Sequence, residues 1–368
     1  MFSAEDTRHM ARALKLAARG RYTAQPNPMV GCVIVRDGKV LGEGWHHRAG
    51  EAHAEVAAIR SATAELDGAT AYVSLEPCSH HGRTPPCADA LIEKGIKRVV
   101  AAMRDPNPAV SGGGIARLEN AGVSVETGLL ETEAERLNSG FVKRMRKGRP
   151  FVRLKIASSI DGATGMASGE SQWITGPAAR ADVQRLRAES GAILTGIGTV
   201  IADDPRLTVR DELRPAEVSQ PLRVILDSDL RTPVSVQLLR MPGETRIYYC
   251  GDNVREDLAD AGATLVGVAE HKRGVDLGEV LDDLGRLEVN SVLVEAGATL
   301  AGSLVSGAFV DELIIYQAPQ LLGSSTRPML ATPGWRRLQH RLQLEIKDIR
   351  MVGRDLRIVA RPLNTVGS

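Results

Sequence analysis

"EPCSHHGRTPPC", residues 76–87, sets two cysteines, two histidines and three prolines within twelve positions. The whole chain has four cysteines, so this density asks for a metal. Five of the eight histidines lie between positions 46 and 81, and "HAE" (53–55) stands among them. His53, Cys78 and Cys87 make the three protein ligands that a catalytic zinc takes while keeping a fourth position for water. Glu55 follows His53 by two residues at the start of a predicted helix, so both side chains converge on one pocket. Cys78 and Cys87 fall at a strand end and a helix beginning, where helix dipole and metal both favour thiolate. A closed structural site that recruits His80 or His81 as a fourth ligand is the competing reading. It lacks the paired spacing of zinc ribbons and leaves Glu55 without a purpose.

Around this stretch, strand and helix signals alternate. "VGCVIV" (30–35), an Asp-Gly turn and "VLGEGW" predict a hairpin. "AEVAAIRSATA", "CADALIEKG" and "IARLENAG" predict helices, and "ATAYVSLEP", "KRVVAAM" and "VSVETG" strands. "KRMRKGRP" (143–150) carries five basic residues in eight positions and reads as a solvated linker. A second α/β pattern restarts after it. "FVRLKIASS", "AILTGIG", "LRVILDS", "RIYYC", "SVLVEAG" and "ELIIYQAP" predict strands, and "GPAARADVQRLRAES" and "LAGSLVSGA" helices. The cut falls at 146/147, giving domains 1–146 and 147–368, each α/β.

Composition limits what such a chain can do. With 46 basic and 45 acidic residues the formal charge is +1, and aromatics are scarce. That argues against a nucleic-acid-editing enzyme, which needs a basic stripe and stacking platforms. No 18-residue apolar run and no signal-peptide core occur, so no membrane partner and a cytoplasmic location are expected. Cys32 and Cys250 then read as reduced packing residues.

His53-x-Glu55 with Pro77-Cys78 and Cys87 is the H-x-E…P-C…C arrangement of nucleobase deaminases. Zinc would make hydroxide available near neutral pH, and Glu55 would shuttle the proton. Eight residues rather than two separate the cysteines. With "QPNPMVG" (25–31), "GWHHRAGEAHAE" (44–55) and "DPNPAVSGGG" (105–114), that insertion makes residues 5–145 resemble the deaminase of riboflavin biosynthesis. The resemblance implies a cytidine-deaminase-like α/β/α domain with one zinc per chain. It also implies substrate binding by Asn27 and His46, and by Arg83 toward a phosphate.

"KIASSIDGATGMASGESQWITG" (155–176), "LTGIGTVIADDPRLTVR" (194–210) and "LVEAGATLAGSL" (293–304) pose a second problem. The last runs a strand into small residues and then a helix, which offers free backbone N–H groups to a phosphate. Neither it nor "GIGTV" matches G-x-G-x-x-G, and nucleotide binding stays open on spacing. On spacing alone, Trp173 reads as a core aromatic and Asp203-Asp204-Pro205 as a cap or turn. In this order after such a deaminase, the three segments resemble the reductase half of the bifunctional riboflavin-biosynthesis enzymes. That half is similar to dihydrofolate reductase in fold and uses NADPH. The resemblance implies cofactor contacts at Ala157, Trp173, Thr199, Asp203 and Ser228. It extends them along Gly297, Ala298, Thr299, Leu300, Ala301, Gly302 and Ser303. Substrate contacts are implied at Lys155, Ser171, Arg187, Leu207, Arg210 and Glu295, with both arginines suited to a phosphate. The implied partners are a phosphorylated pyrimidine and a second copy of the chain, paired through the reductase domain. The competing reading keeps the deaminase and makes the second half a non-catalytic assembly domain.

Overall fold

Asp37 and Gly38 both take positive φ, 52° and 71°, and turn β1 (Gly31–Arg36) back onto β2 (Lys39–Trp45). Two consecutive left-handed residues match the twist of the strands they join, so the Asp-Gly pair fixes this hairpin. The computed structural model describes residues 1–368 except 80–85, 109, 211–217, 273, 333, 336 and 364–368. The chain divides into two compact units, Met1–Arg149 and Pro150–Ser368.

In the first unit, α1 (Ala4–Ala17) opens with a capping box between Ser3 and Asp6. After the hairpin come α2 (Ala54–Arg60), β3 (Thr70–Val73), α3 (Cys87–Glu93), β4 (Arg98–Ala101) and α4 (Gly113–Asn120). β5 (Ser124–Thr127), α5 (Glu131–Leu137) and α6 (Ser139–Lys147) complete it. The sheet order is β2-β1-β3-β4-β5, antiparallel through β1 and parallel from β3 to β5. β1 is buried on both faces. Val33 and Val35 pack with Met10 and Ala13 of α1, and Cys32 and Ile34 with Ala54 and Ala58 of α2. Alternate residues point to opposite faces, so a strand covered twice reads as one unbroken apolar run.

The basic stretch expected as a linker is instead helical. Residues 143–147 form the second half of α6, closed by Gly148 at φ 70°. Its buried side is narrow, with Val142 as the buried residue, and four cations in residues 143–147 outweigh it in composition. The cations fall in the last turn, where they complement the helix dipole, and Arg146 reaches Glu135 at 2.6 Å.

The second unit begins with β6 (Phe151–Ser159), β7 (Ala163–Met166), α7 (Pro177–Ala188), β8 (Ala192–Gly196) and α8 (Ile197–Asp203). Then follow β9 (Leu222–Leu226), α9 (Gln237–Arg240), β10 (Thr245–Tyr249), α10 (Glu256–Asp260) and β11 (Ala263–Gly267). β12 (Glu270–His271), β13 (Gly274–Val275), α11 (Leu277–Arg286), β14 (Ser291–Glu295), α12 (Ala298–Ser306) and β15 (Glu312–Ala318) lead on. β16 (Thr326–Pro328), β17 (Leu344–Val352) and β18 (Asp355–Pro362) end it. Nine strands form the main sheet in the order β11-β10-β9-β8-β14-β6-β15-β18-β17. It is parallel from β11 to β15, and the C-terminal hairpin adds antiparallel. The core sits under β14, β6 and β8, where Val292, Val294, Leu154 and Leu194 meet Leu281 and Leu284 of α11 and Leu304 of α12.

The C-terminal hairpin has an apolar face that the sequence reading passed over. The register shifts between Ile346 and Asp348, so Leu344, Ile346, Ile349 and Met351 stand opposite Pro362, Ala360, Ile358 and Leu356. Without that bulge the last two apolar residues of β17 would point the other way. Ile346, Ile349 and Met351 remain 56, 54 and 62% exposed.

Candidate functional site

His53 stands immediately before α2 in extended conformation (φ −69°, ψ 163°), and Glu55 is in the first turn, buried. Cys78 follows β3, and Cys87 opens α3. His53 Nδ1 lies 3.2 Å from Cys87 Sγ and 3.5 Å from Cys78 Sγ. All three ligand atoms lie within 4.8 Å of one another, and the Cys87 backbone N–H donates to Cys78 Sγ at 3.3 Å. One imidazole nitrogen and two sulfurs in that spacing fit a zinc that takes three protein ligands. The Cys87 thiol, then His53, donate to Cys78 and hold its thiol well below the ordinary value, while the same hydrogen bond and burial push Cys87 up. Burial, then the Cys78 charge, push the Glu55 carboxyl up to about 7.

His46 is buried beside this cluster, its ring 5.4 Å from that of His53. Nδ1 lies 3.1 Å from the Ala52 carbonyl, which can only accept, so Nδ1 carries the proton. Nε2 therefore accepts from Asn27 Nδ2 at 3.0 Å, and burial lowers the His46 pKa, favouring that neutral form. Asn27 Oδ1 is thereby set as the amide's other end. Asn138, which the sequence reading missed, holds this segment from α6's start: Met29 N donates to its Oδ1 at 2.8 Å, and its Nδ2 to Met29 O at 2.9 Å. No local pattern signals a contact 109 residues apart. Arg83, with His80 and His81, lies outside the described residues.

In the second unit three charges meet in the interior. Arg187 of α7 donates to Glu295 of β14 through Nε at 2.6 Å and Nη2 at 3.1 Å. Lys155 of β6 brings Nζ to 3.9 Å from the same carboxylate. Burial pushes Glu295 up, but the Arg187 and Lys155 charges outweigh it and leave the carboxyl below its ordinary value. Burial lowers Lys155 despite Glu295. Arg187 Nη1 also donates to Thr208 O at 2.9 Å, beside buried Leu207. Arg210 is exposed, its backbone N–H bonded to Gln184.

The remaining residues are spread over the mouth of that sheet. Ala157 lies on β6 and Ser228 follows β9, its carbonyl taking the Cys250 N–H at 3.0 Å. Thr199 and Asp203 are on α8, and Gln172 beside Ser171 reaches Asp203 at 3.3 Å. Trp173 is not a core aromatic: it is 63% exposed, with the Arg180 guanidinium 4.7 Å above its ring. Asp204, not Asp203, caps α8, at φ 38°. Gly297 precedes α12 with no side-chain cap, and a Cβ there would meet nothing within 4 Å. An uncapped helix start facing open space, with Ala298 and Thr299 in its first turn, fits a phosphate of NADPH. Leu300 faces Gly196 and Ser303 bonds Thr299 O, whereas Ala301 is buried and Gly302 abuts the Ala331 backbone.

Residues 3–103 match the cytidine and deoxycytidylate deaminase zinc-binding region, and residues 150–358 match the RibD C-terminal domain. A riboflavin biosynthesis protein RibD of Escherichia coli K12 is 54% identical over 96% of this chain and 98% of its own. An Acinetobacter baumannii RibD structure superposes with a TM-score of 0.92 at 46% identity, covering 98% of this chain and 99% of its own. A Thermotoga maritima structure gives 0.86 at 32% identity, covering 97 and 99%. That protein is described as a diaminohydroxyphosphoribosylaminopyrimidine deaminase/5-amino-6-(5-phosphoribosylamino)uracil reductase. Fold and site thus define a zinc-binding deaminase joined to an NADPH-dependent reductase, both enzymes in one chain. The chain belongs to the RibD family of riboflavin biosynthesis proteins. The fold classes expected from sequence hold, and a non-catalytic second half is not favoured.

Proposed function

We propose that the first unit hydrolytically deaminates 2,5-diamino-6-(5-phosphoribosylamino)pyrimidin-4(3H)-one, and that the second reduces the ribosyl group of 5-amino-6-(5-phosphoribosylamino)uracil to ribityl. The observation that carries the reading is the His53, Cys78 and Cys87 cluster with Glu55 buried beside it, in one chain with the Lys155–Glu295–Arg187 site. A zinc ion held by those three ligands supplies Lewis acidity that makes water a stronger acid near neutral pH. Glu55 takes one proton from the attacking water and gives it to the ring nitrogen, then carries the second, from the hydroxyl so formed, to the amino group, which departs as ammonia. His46 holds Asn27 so that its carbonyl end meets a base N–H, and Arg83 is assigned to the phosphate.

In the reductase the hydride belongs to the cofactor, so the protein positions and balances charge. Ala157, Trp173, Thr199, Asp203, Ser228 and the run Gly297–Ser303 are assigned to NADPH, and Lys155, Ser171, Leu207 and Glu295 to the substrate. Arg187 commits its fork to Glu295 and Thr208, so it orients the carboxylate and leaves the phosphate to exposed Arg210. The reductase domain also carries the proposed homodimer. The β17–β18 apolar face supports it, since exposed apolar residues on an edge strand invite a second copy. Four cysteines outside any disulfide, two of them assigned to zinc, accord with a cytoplasmic setting. Among the described residues no helix is long and apolar enough to cross a membrane.

Purified protein given the diaminopyrimidine ribosyl phosphate tests the scheme. About one zinc per chain, with ammonia release preceding NADPH oxidation, is expected. Ammonia without NADPH loss would remove the assigned second substrate, and neither would remove both. Light scattering on Ile349→Asp, expected to be monomeric, tests the dimer.

A further inference from the structure

Glu76, next to the Pro77-Cys78 pair, is buried, and among the described residues its carboxylate is bonded to backbone. Oε2 accepts from Asp105 N at 3.1 Å and Gly112 N at 3.0 Å. Oε1 accepts from Gly114 N at 3.0 Å and Ile115 N at 3.3 Å. One side chain therefore ties both ends of the segment "DPNPAVSGGG" and fills the N-terminus of α4, where free N–H groups favour a negative charge. The segment is also pressed against the cysteine-bearing loop. A Cβ on Gly114 would stand 1.8 Å from Pro77 O, and one on Gly113 2.7 Å from Ser79 Oγ. Arg117 of α4 adds a bond to Ser79 O at 3.3 Å. Both loops leave the C-terminal ends of adjacent parallel strands, β3 and β4, where open α/β sheets bind their ligands.

From this closure we infer that Glu76 is a positioning residue of the deaminase: it fixes Asp105, Gly112 and Gly114 as part of the wall of the substrate pocket beside Cys78. It touches neither metal nor substrate. Its effect is on how well the pocket is formed before the substrate arrives, which enters KM more than kcat. The inference rests on the deaminase substrate assigned above.

Glu76→Gln replaces one acceptor oxygen by an NH2 that faces backbone donors, and Glu76→Asp keeps the charge but draws it back. KM for ammonia release is expected to rise about tenfold in Glu76→Gln and less in Glu76→Asp, with kcat within about threefold of wild type. Zinc content and reductase activity of the same protein should stay unchanged. Amide hydrogen exchange at Asp105, Gly112, Gly114 and Ile115 should be slow in the native protein and fast in Glu76→Gln. Asp6→Asn serves as the comparison, because it breaks a buried network elsewhere in the unit and should lower Tm with KM unchanged. Should Glu76→Gln behave as that control does, or kcat fall at constant KM, the inference is overturned. If Glu76→Gln does not fold, Glu76→Asp decides, and a wild-type KM there overturns it equally. Wild type that releases no ammonia from the substrate indicts the substrate assignment, and the exchange pattern then still judges Glu76.

Discussion

Arg187 grips Glu295 through two parallel bonds, 2.6 and 3.1 Å long, with both side chains largely inside the protein. The pair joins α7 to the end of β14 and leaves Lys155 sharing the same carboxylate. Glu295→Gln leaves two half-buried cations without their carboxylate. It should cost about 3 kcal/mol of stability by urea unfolding and suppress NADPH oxidation, with ammonia release intact. An equal loss of both activities would mean that the effect is global.

Removal of metal should separate the two halves of the chain. Chelation, or Cys78→Ser, is expected to abolish ammonia release while NADPH oxidation on the uracil substrate continues. Metal analysis alongside both assays checks it. Loss of NADPH oxidation on chelation would contradict the assignment of the zinc to the first unit.

Glu55→Gln keeps the shape of the buried carboxyl but cannot carry a proton. The expected result is a fall in kcat of roughly a hundredfold to ten-thousandfold with zinc retained. Equilibrium dialysis for zinc and steady-state ammonia release measure the two quantities. Near-normal kcat would remove Glu55 from the proton path.

Asp6 accepts from Arg98 at 2.6 Å, Tyr72 OH at 2.8 Å and Ser3 N at 2.8 Å. Arg98 holds its carboxyl well below the ordinary aspartate value. The folded pKa is lowered, so the contribution is complete above the unfolded value of about 3.9 and disappears as pH falls through the folded one. Asp6→Asn should cost about 2 kcal/mol at pH 7, and the gap to wild type should narrow below about pH 4. Urea titrations at pH 7 and 3 read this directly, and a gap independent of pH would refute it.

How much could be read from the sequence followed from how locally each feature is written. β1, β9 and β14 were legible because buried strands appear as Val, Ile and Leu runs, and β6 because its apolar residues alternate with Arg153 and Lys155. His53, Glu55, Cys78 and Cys87 were legible because zinc chemistry leaves few other uses for such a set. α6 was misread, since a helix with one narrow buried side looks like solvated charge. The β17–β18 hairpin escaped because a bulge breaks its alternation. Asn138 on Met29 and Glu76 on Gly112 were invisible, because side-chain bonds to distant backbone leave no periodic trace.

The position of β6 in its sheet bears on how the chain emerges from the ribosome. β6 is the first strand of the second unit, yet it lies between β14 and β15, pairing Phe151 with Ser291 and Leu154 with Leu313. A nascent chain that has emerged to about residue 150 already holds every strand of the deaminase sheet and can close it. The reductase cannot, because its opening strand waits with both edges bare until residues 291–318 arrive. Pausing or truncation in that interval should yield a chain with a finished deaminase and a sticky, half-built partner, making the second half the part that calls on chaperones during synthesis.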